Sequence, residues 1–114
     1  MRFVELDPHF LKILDERTYQ FEGVPFAEAQ GVQFDCPVCW EKNGQSGVGT
    51  HAVICWFDGK GVPPEFDPKP GRWTAAGTGL DDLTLNAPSF TGARSVLLMG
   101  GCNAHFFVTN GEVR

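Results

Sequence analysis

Two short motifs in the sequence carry side chains that bind metal ions. Cys36 and Cys39 are separated by two residues, and Cys102 and His105 repeat this spacing near the C-terminus. Two donors at this spacing lie on one side of a tight turn, and two such turns complete a tetrahedron around Zn²⁺. Four protein donors leave no position for water. The sequence therefore predicts a structural zinc site formed by Cys36, Cys39, Cys102 and His105.

Other roles for these residues stay open at this point. Cys36 and Cys39 could form a redox pair, but a thioredoxin-like motif belongs in a βαβ unit, which the sequence does not predict. His51 is either an ordinary loop histidine or a further metal ligand or catalytic residue. Cys55 lies inside an apolar run, so we expect it to be a buried thiol.

The segments that must position these ligands have the pattern of strands. Residues 32–34 alternate and lead into the first cysteine pair, and the apolar run 52–57 predicts a strand buried on both faces. Asn110-Gly111 predicts a type I′ hairpin turn near the C-terminus. Further strand candidates are 83–85, 95–99 and 104–109. We expect a mainly β fold, a small zinc-stapled antiparallel sheet or barrel-like domain with one short N-terminal helix.

That helix is predicted near the start of the chain. Asp7 can cap its first N–H groups and Pro8 suits its first turn. Three apolar residues then share one helical face, namely Phe10, Ile13 and Leu14. We expect the helix to end near Arg17. The 114 residues predict one domain, with a helical segment 1–30 packed on, or extending from, a zinc-binding β core over 31–114.

Charge and hydropathy restrict the partners. The net charge is −5 at pH 7, and no basic stripe exists that could displace counterions from phosphate, so we expect no nucleic-acid partner. The apolar runs are far shorter than the roughly 20 residues of a membrane span, so we expect no membrane partner. The N-terminus has no apolar signal-peptide core, which predicts the cytoplasm, where cysteines serve as metal ligands rather than disulfides.

Four segments together resemble a known family. They are Cys36-Pro37-Val38-Cys39, residues 77–85, Pro88-Ser89-Phe90 and residues 102–111. Over roughly 31–113 the chain resembles a family of uncharacterised small proteins common in tailed phages and prophages. More distant relatives lie beside ubiquitin-like conjugation genes in bacterial defence operons, where a peptidase role has been suggested. The resemblance implies a phage-type protein in the bacterial host cytoplasm, or one associated with the virion.

The first functional hypothesis is a protein-binding or structural module. Zinc and an aromatic core would hold a rigid scaffold in a phage accessory protein or virion component. Residues 58–82, rich in proline and glycine, form a long irregular stretch, and such loops are often functional. Trp73 within it would contact a protein partner or, alternatively, fill the core.

The second hypothesis is a peptidase-like or isopeptidase-like hydrolase. Ser89 would be the nucleophile, His51 or His105 the general base, and Asp81 or Asp82 the residue that orients this base. A histidine that binds zinc through its ring cannot also act as that base. The two hypotheses therefore compete for His105.

Overall fold

The computed structural model describes residues 1–66, 72–86, 96–97 and 105–114, and gives the backbone alone at 96, 97 and 105. These ranges contain ten strands and one short α-helix, α1 (Pro37–Lys42). The strands are β1 (His9–Ile13), β2 (Tyr19–Gln20), β3 (Gly31–Asp35), β4 (Ala52–Trp56), β5 (Thr74–Ala76), β6 (Thr84–Asn86), β7 (Val96–Leu97), β8 (His105–Phe106), β9 (Val108–Thr109) and β10 (Glu112–Val113). Short 3₁₀ turns occupy Phe3–Leu6, Phe26–Glu28 and Leu80–Asp82. The mainly β, antiparallel prediction is confirmed.

The largest sheet has four antiparallel strands in the order β2-β1-β3-β4. β3 and β4 pair along their whole length, from Gly31 opposite Trp56 to Asp35 opposite Ala52. Three two-stranded sheets, β5–β6, β7–β8 and β9–β10, complete the strands of the described ranges. The strands described here do not close into a barrel, so the barrel-like alternative receives no support.

Side chains of the four-stranded sheet alternate between two buried faces. Phe10, Val32 and Cys55 point into the larger core, together with Phe34 and Val53. The other members of this core come mainly from the N-terminal turn and the last strands. They include Phe3, Leu6, Leu83, Leu85, Phe106, Val108 and Val113. Because side chains along a strand alternate in direction, the residues between them face the opposite side.

The second face is built around Trp56, which is completely buried. It packs with Leu11 and Phe66, and the rings of Tyr19 and Phe66 meet it edge to face at centroid distances of 5.5 and 5.1 Å. Gly31 lies opposite, where a Cβ would approach the Trp56 ring to 2.6 Å. Burial on both faces confirms the prediction for the apolar run 52–57.

The predicted N-terminal helix is wrong. Asp7 has a left-handed backbone (φ 50°) at the C-terminal end of the first 3₁₀ turn instead of capping the start of a helix, and His9–Ile13 forms strand β1. Phe10 and Leu11 are adjacent yet both buried, because the sheet is covered on both faces. Leu14 remains exposed beyond the strand. The helical spacing of the apolar residues therefore did not determine the secondary structure of this segment. No helix in the described residues has the length and apolar character to cross a bilayer.

The stretch 58–82 also differs from its prediction. The Trp73 N–H donates to the Trp56 carbonyl at 3.0 Å, and the Asp58 N–H donates to the Trp73 carbonyl at 2.7 Å. Trp73 thus continues the pairing beyond β4, and its half-buried side chain packs against the larger core. Strand β5 follows at once. Trp73 therefore matches the core-filling alternative, while residues 67–71 lie outside the described ranges.

The C-terminal hairpin has the predicted turn. Asn110 and Gly111 both have positive φ angles, 49° and 75°, as a type I′ turn requires. The Gly111 N–H donates to the Leu83 carbonyl at 2.9 Å, and the Phe3 N–H donates to the Gly111 carbonyl at 2.8 Å. The turn therefore joins the N-terminal segment to the residues just before β6.

We expect Gly111, at this junction, to be unusually sensitive to substitution. A Cβ at Gly111 would overlap the carbonyl oxygen of Asp81, and the residue is left-handed as well. We expect Gly111→Ala to lower the free energy of unfolding by about 2–4 kcal/mol, through strain plus overpacking. Urea denaturation would measure it.

Gly23→Ala is the matched control. Gly23 has a similar φ of 70°, but nothing lies within 4 Å of its added Cβ. The control should lose only about 1 kcal/mol, from backbone strain. Equal losses in the two variants would show that the contact with Asp81 does not constrain the fold.

Candidate metal centre

Cys36 occupies the junction between β3 and α1. It is the residue that precedes the helix, with an extended backbone, and its carbonyl accepts the first helical hydrogen bond from the Trp40 N–H at 2.9 Å. Pro37 follows at the first helical position, where a missing N–H costs nothing. Cys36 continues the inward alternation of Val32 and Phe34, and its side chain is completely buried in the larger core.

Cys39 lies in the first turn of α1 and is half-buried. Its carbonyl accepts the Asn43 N–H at 2.9 Å near the end of the helix. The predicted tight turn between the two cysteines is thus the first turn of a helix. The three-residue offset brings both side chains to one side of that turn.

His51 is placed by the sheet. It immediately precedes β4, and its carbonyl accepts the Cys36 N–H at 2.9 Å, which continues the β3–β4 ladder by one residue pair. The loop between α1 and His51 is held by hydrogen bonds between its own residues. The Asn43 amide donates to the Thr50 hydroxyl at 3.0 Å, and that hydroxyl donates to the Ser46 carbonyl at 2.7 Å. These bonds fix the approach of the chain to His51.

The three side chains converge. One donor atom each from Cys36, Cys39 and His51 lies within 4.8 Å of the other two, so the cluster could hold a metal ion. Ligands of a tetrahedral zinc are about 3.7 Å apart, given Zn–S bonds near 2.3 Å. A small rotation of the side chains would bring the three donor atoms to this spacing. Two sulfurs and an imidazole form a donor set suited to zinc.

Cys55 has a different role. It is fully buried in β4 and lies outside the cluster of donors. Burial in apolar surroundings raises the pKa of its thiol far above the ordinary value, which keeps the sulfur protonated and unreactive. The prediction of a buried thiol is confirmed, and Cys55 offers a natural control for experiments on the other cysteines.

The second predicted half-site is only partly within the described ranges. Cys102 lies outside them. For His105 the structure gives the backbone, which belongs to β8 and pairs with Leu97. The next residue, Phe106, is buried, and its ring centroid lies 5.9 Å from that of Phe34. Since Phe34 is two residues before Cys36 on the same face, β8 reaches the core layer that contains the first half-site.

The residues of the hydrolase hypothesis that the structure describes lie in different local environments. Ser89 lies outside the described ranges. His51 contributes its ring to the cysteine cluster. Asp81 is exposed in the 3₁₀ turn before β6, and its backbone carbonyl faces Gly111. The neighbouring Asp82 accepts hydrogen bonds from the Thr78 N–H, the Thr78 hydroxyl and the Gly79 N–H at 2.9–3.0 Å.

From the sequence alone, His51 is either a loop residue or a functional one. A signal for its position was present. His51 directly precedes a strong strand pattern, just as Cys36 directly follows one. If the two strands pair as neighbours in antiparallel register, the residue after the first and the residue before the second come opposite each other. Only the pairing partner and register were unknown.

The hydrogen bonds of Asp82 lead to a prediction about the stability of the protein at low pH. The Thr78 and Gly79 hydrogen bonds lower the pKa of its carboxyl below the ordinary 3.8. A lowered folded-state pKa contributes stability above the unfolded value, which is lost as pH falls through the folded value. Asp82→Ala should therefore be less stable than the parent protein at neutral pH, and the difference should narrow as pH falls below 3.8 through the lowered folded-state pKa.

Urea titrations at a series of pH values would test this, with Asp81→Ala as the control. Asp81 forms no side-chain hydrogen bond with the residues described in the structure, so its removal should cost less stability at neutral pH than the removal of Asp82. A constant difference between parent and Asp82→Ala across the whole pH range would contradict the assignment.

Comparison with known proteins adds no functional information. The chain matches no protein-family model, no curated protein and no solved structure. A fold class by itself does not specify an activity. The function has to be argued from the geometry of the site.

Proposed function

We propose that this chain is a small zinc-stabilised module whose role is structural or protein-binding, in a phage- or prophage-type accessory protein. The observation that carries the zinc proposal is the convergence of Cys36, Cys39 and His51. The accessory role and the bacterial host cytoplasm follow from the resemblance of residues 31–113 to the phage family. A protein partner is part of this proposal.

The fourth zinc donor comes from the second half-site, Cys102-x-x-His105. Support for this assignment comes from β8, whose Phe106 packs against Phe34 in the layer of the first half-site. A zinc ion needs one donor beyond the three that already converge, so Cys102 or His105 completes a closed tetrahedral shell. A closed shell of this kind stabilises a fold and offers no position for a substrate.

The zinc would join four parts of the chain. Cys36 follows β3, Cys39 belongs to α1, His51 precedes β4, and the fourth donor lies in the last third of the sequence. Structural zinc contributes on the order of 10 kcal/mol in finger peptides. That is as large as the net stability of many small domains, about 5–15 kcal/mol. Folding and metal binding should therefore be strongly coupled.

A Ser89 hydrolase is the weaker alternative. It needs an imidazole outside the coordination shell, within hydrogen-bond reach of the serine hydroxyl. If His51 binds zinc, His105 is the one of the two proposed bases that remains for this role, and Cys102 must then be the fourth ligand. The identity of the fourth donor therefore also decides whether this alternative survives.

Metal content is the first test. The purified protein should contain about one zinc per chain by elemental analysis, and a strong chelator should lower its melting temperature by tens of degrees. Cys39→Ser and His51→Ala should each lose zinc affinity by at least about tenfold. Cys55→Ala removes a thiol outside the cluster and should retain full zinc content. Metal-free protein with an unchanged melting curve would overturn the proposal.

The fourth donor can be identified with cobalt. Co²⁺ in the zinc site gives a sulfur-to-metal charge-transfer band, whose intensity rises with the number of thiolates. Cys102→Ser should reduce this band if Cys102 is the ligand, whereas His105→Ala should then leave it unchanged. If His105 is the ligand, His105→Ala should instead change the visible d–d bands of Co²⁺ while Cys102→Ser leaves the spectrum unchanged, which would exclude His105 as a catalytic base. If neither variant changes the spectrum, the closed-shell assignment is wrong.

A further inference from the structure

A pocket opens on the second face of the sheet, the side opposite the cysteine core. Its volume is about 610 Å³, and its lining comes from the β1–β2 turn and the segment after β4. The lining residues are Glu16, Arg17, Tyr19, Pro63, Glu65 and Phe66. Pockets of roughly 300–1,000 Å³ are typical of ligand-binding sites.

The aromatic side of this pocket is rigidly supported. Tyr19 and Phe66 both line it, and both rings rest edge to face on the buried Trp56 behind them. The wall at 63–66 is held by Arg72, whose guanidinium donates to the carbonyls of Pro63 and Phe66 at 3.0 Å each. The pocket is therefore formed before any ligand binds, which lowers the entropic cost of binding.

Charge is distributed unevenly around the aromatic residues. Glu16 and Glu65 lie in the lining, and neither forms an ion pair with any residue in the described ranges. Glu28, by contrast, forms a 2.8 Å ion pair with Lys12. Two carboxylates beside the rings that line the pocket attract a cation, because both the charges and the ring quadrupoles favour it.

We propose that this pocket binds a lysine or arginine side chain from an extended segment of a partner protein. The apolar stem of the side chain would lie along Tyr19 and Phe66, and the cationic group would lie between Glu16 and Glu65. Pro63 and the aromatic rings suit an extended segment, as in other grooves that recognise such peptides. Arg17 at the edge disfavours a run of basic residues, so a single cation is expected.

This inference rests on the proposed function only in assuming a protein partner. The pocket belongs to the face opposite the cysteine cluster and uses none of the zinc ligands. A failure of the zinc proposal and a failure of the pocket proposal are therefore separable. Each protein sample is assayed for zinc content before peptide binding is measured.

The test uses two synthetic pentapeptides and the zinc-loaded full chain. The probe is acetyl-Ala-Pro-Arg-Pro-Ala-amide, and the control peptide has citrulline in place of arginine, which keeps the shape but removes the charge. Amide chemical shifts of the ¹⁵N-labelled protein are followed during titration. We expect the largest shifts at the Glu16–Tyr19 backbone and around Glu65 and Phe66. The arginine peptide should bind about tenfold more tightly than the citrulline peptide.

Two variants separate the pocket from general electrostatic attraction. Glu16→Gln combined with Glu65→Gln should weaken the arginine peptide to the level of the citrulline peptide. Glu22→Gln and Glu41→Gln together remove the same number of negative charges from exposed positions outside the lining, and should leave binding unchanged. Equal binding of both peptides, shifts centred elsewhere, or no shifts at all would each overturn the inference.

Discussion

The pairing of β3 with β4 is the interaction on which the rest of the structure depends. It runs from Gly31 opposite Trp56 to the hydrogen bond between the Cys36 N–H and the His51 carbonyl. Side chains alternate in direction along a strand. A one-residue shift in the pairing of β3 with β4 would therefore turn the core-facing side chains of the shifted strand to the opposite face of the sheet. Trp56 would then point into the larger core, and His51 would no longer lie opposite Cys36. One register thus determines both the core and the cluster of donors.

The cysteine cluster lies where this register ends and α1 begins. The ladder positions Cys36 and His51, the first turn of the helix adds Cys39, and the bonded loop before His51 limits its movement. A metal ion here would cross-link elements already close together, so little chain entropy remains to be lost on binding. The same ion would strengthen a domain that is small enough for its core to be marginal.

The two faces of the sheet have different chemistry. The larger core contains Cys36 and connects the cluster of donors to the N-terminal turn and the last strands. The smaller core around Trp56 supports a pocket lined by rings and carboxylates. Stability and partner binding would therefore rest on opposite sides of one sheet. A module built in this way can present a binding surface without exposing its metal ligands to the partner.

The sequence alone determined the strands with the strongest patterns, the Asn110-Gly111 turn, the buried Cys55 and the first cysteine pair as candidate metal ligands. These depend on local chemistry: alternation, positive φ and the donor atoms of thiols. The N-terminal strand and the place of Trp73 depended on long-range pairing, which overrides local spacing when a sheet is covered on both faces. For the same reason only the tertiary structure decided between the two alternatives that the sequence left open for His51, a loop residue or a candidate ligand. Its position follows from the register with β3, and register is a property of two strands rather than of either sequence segment.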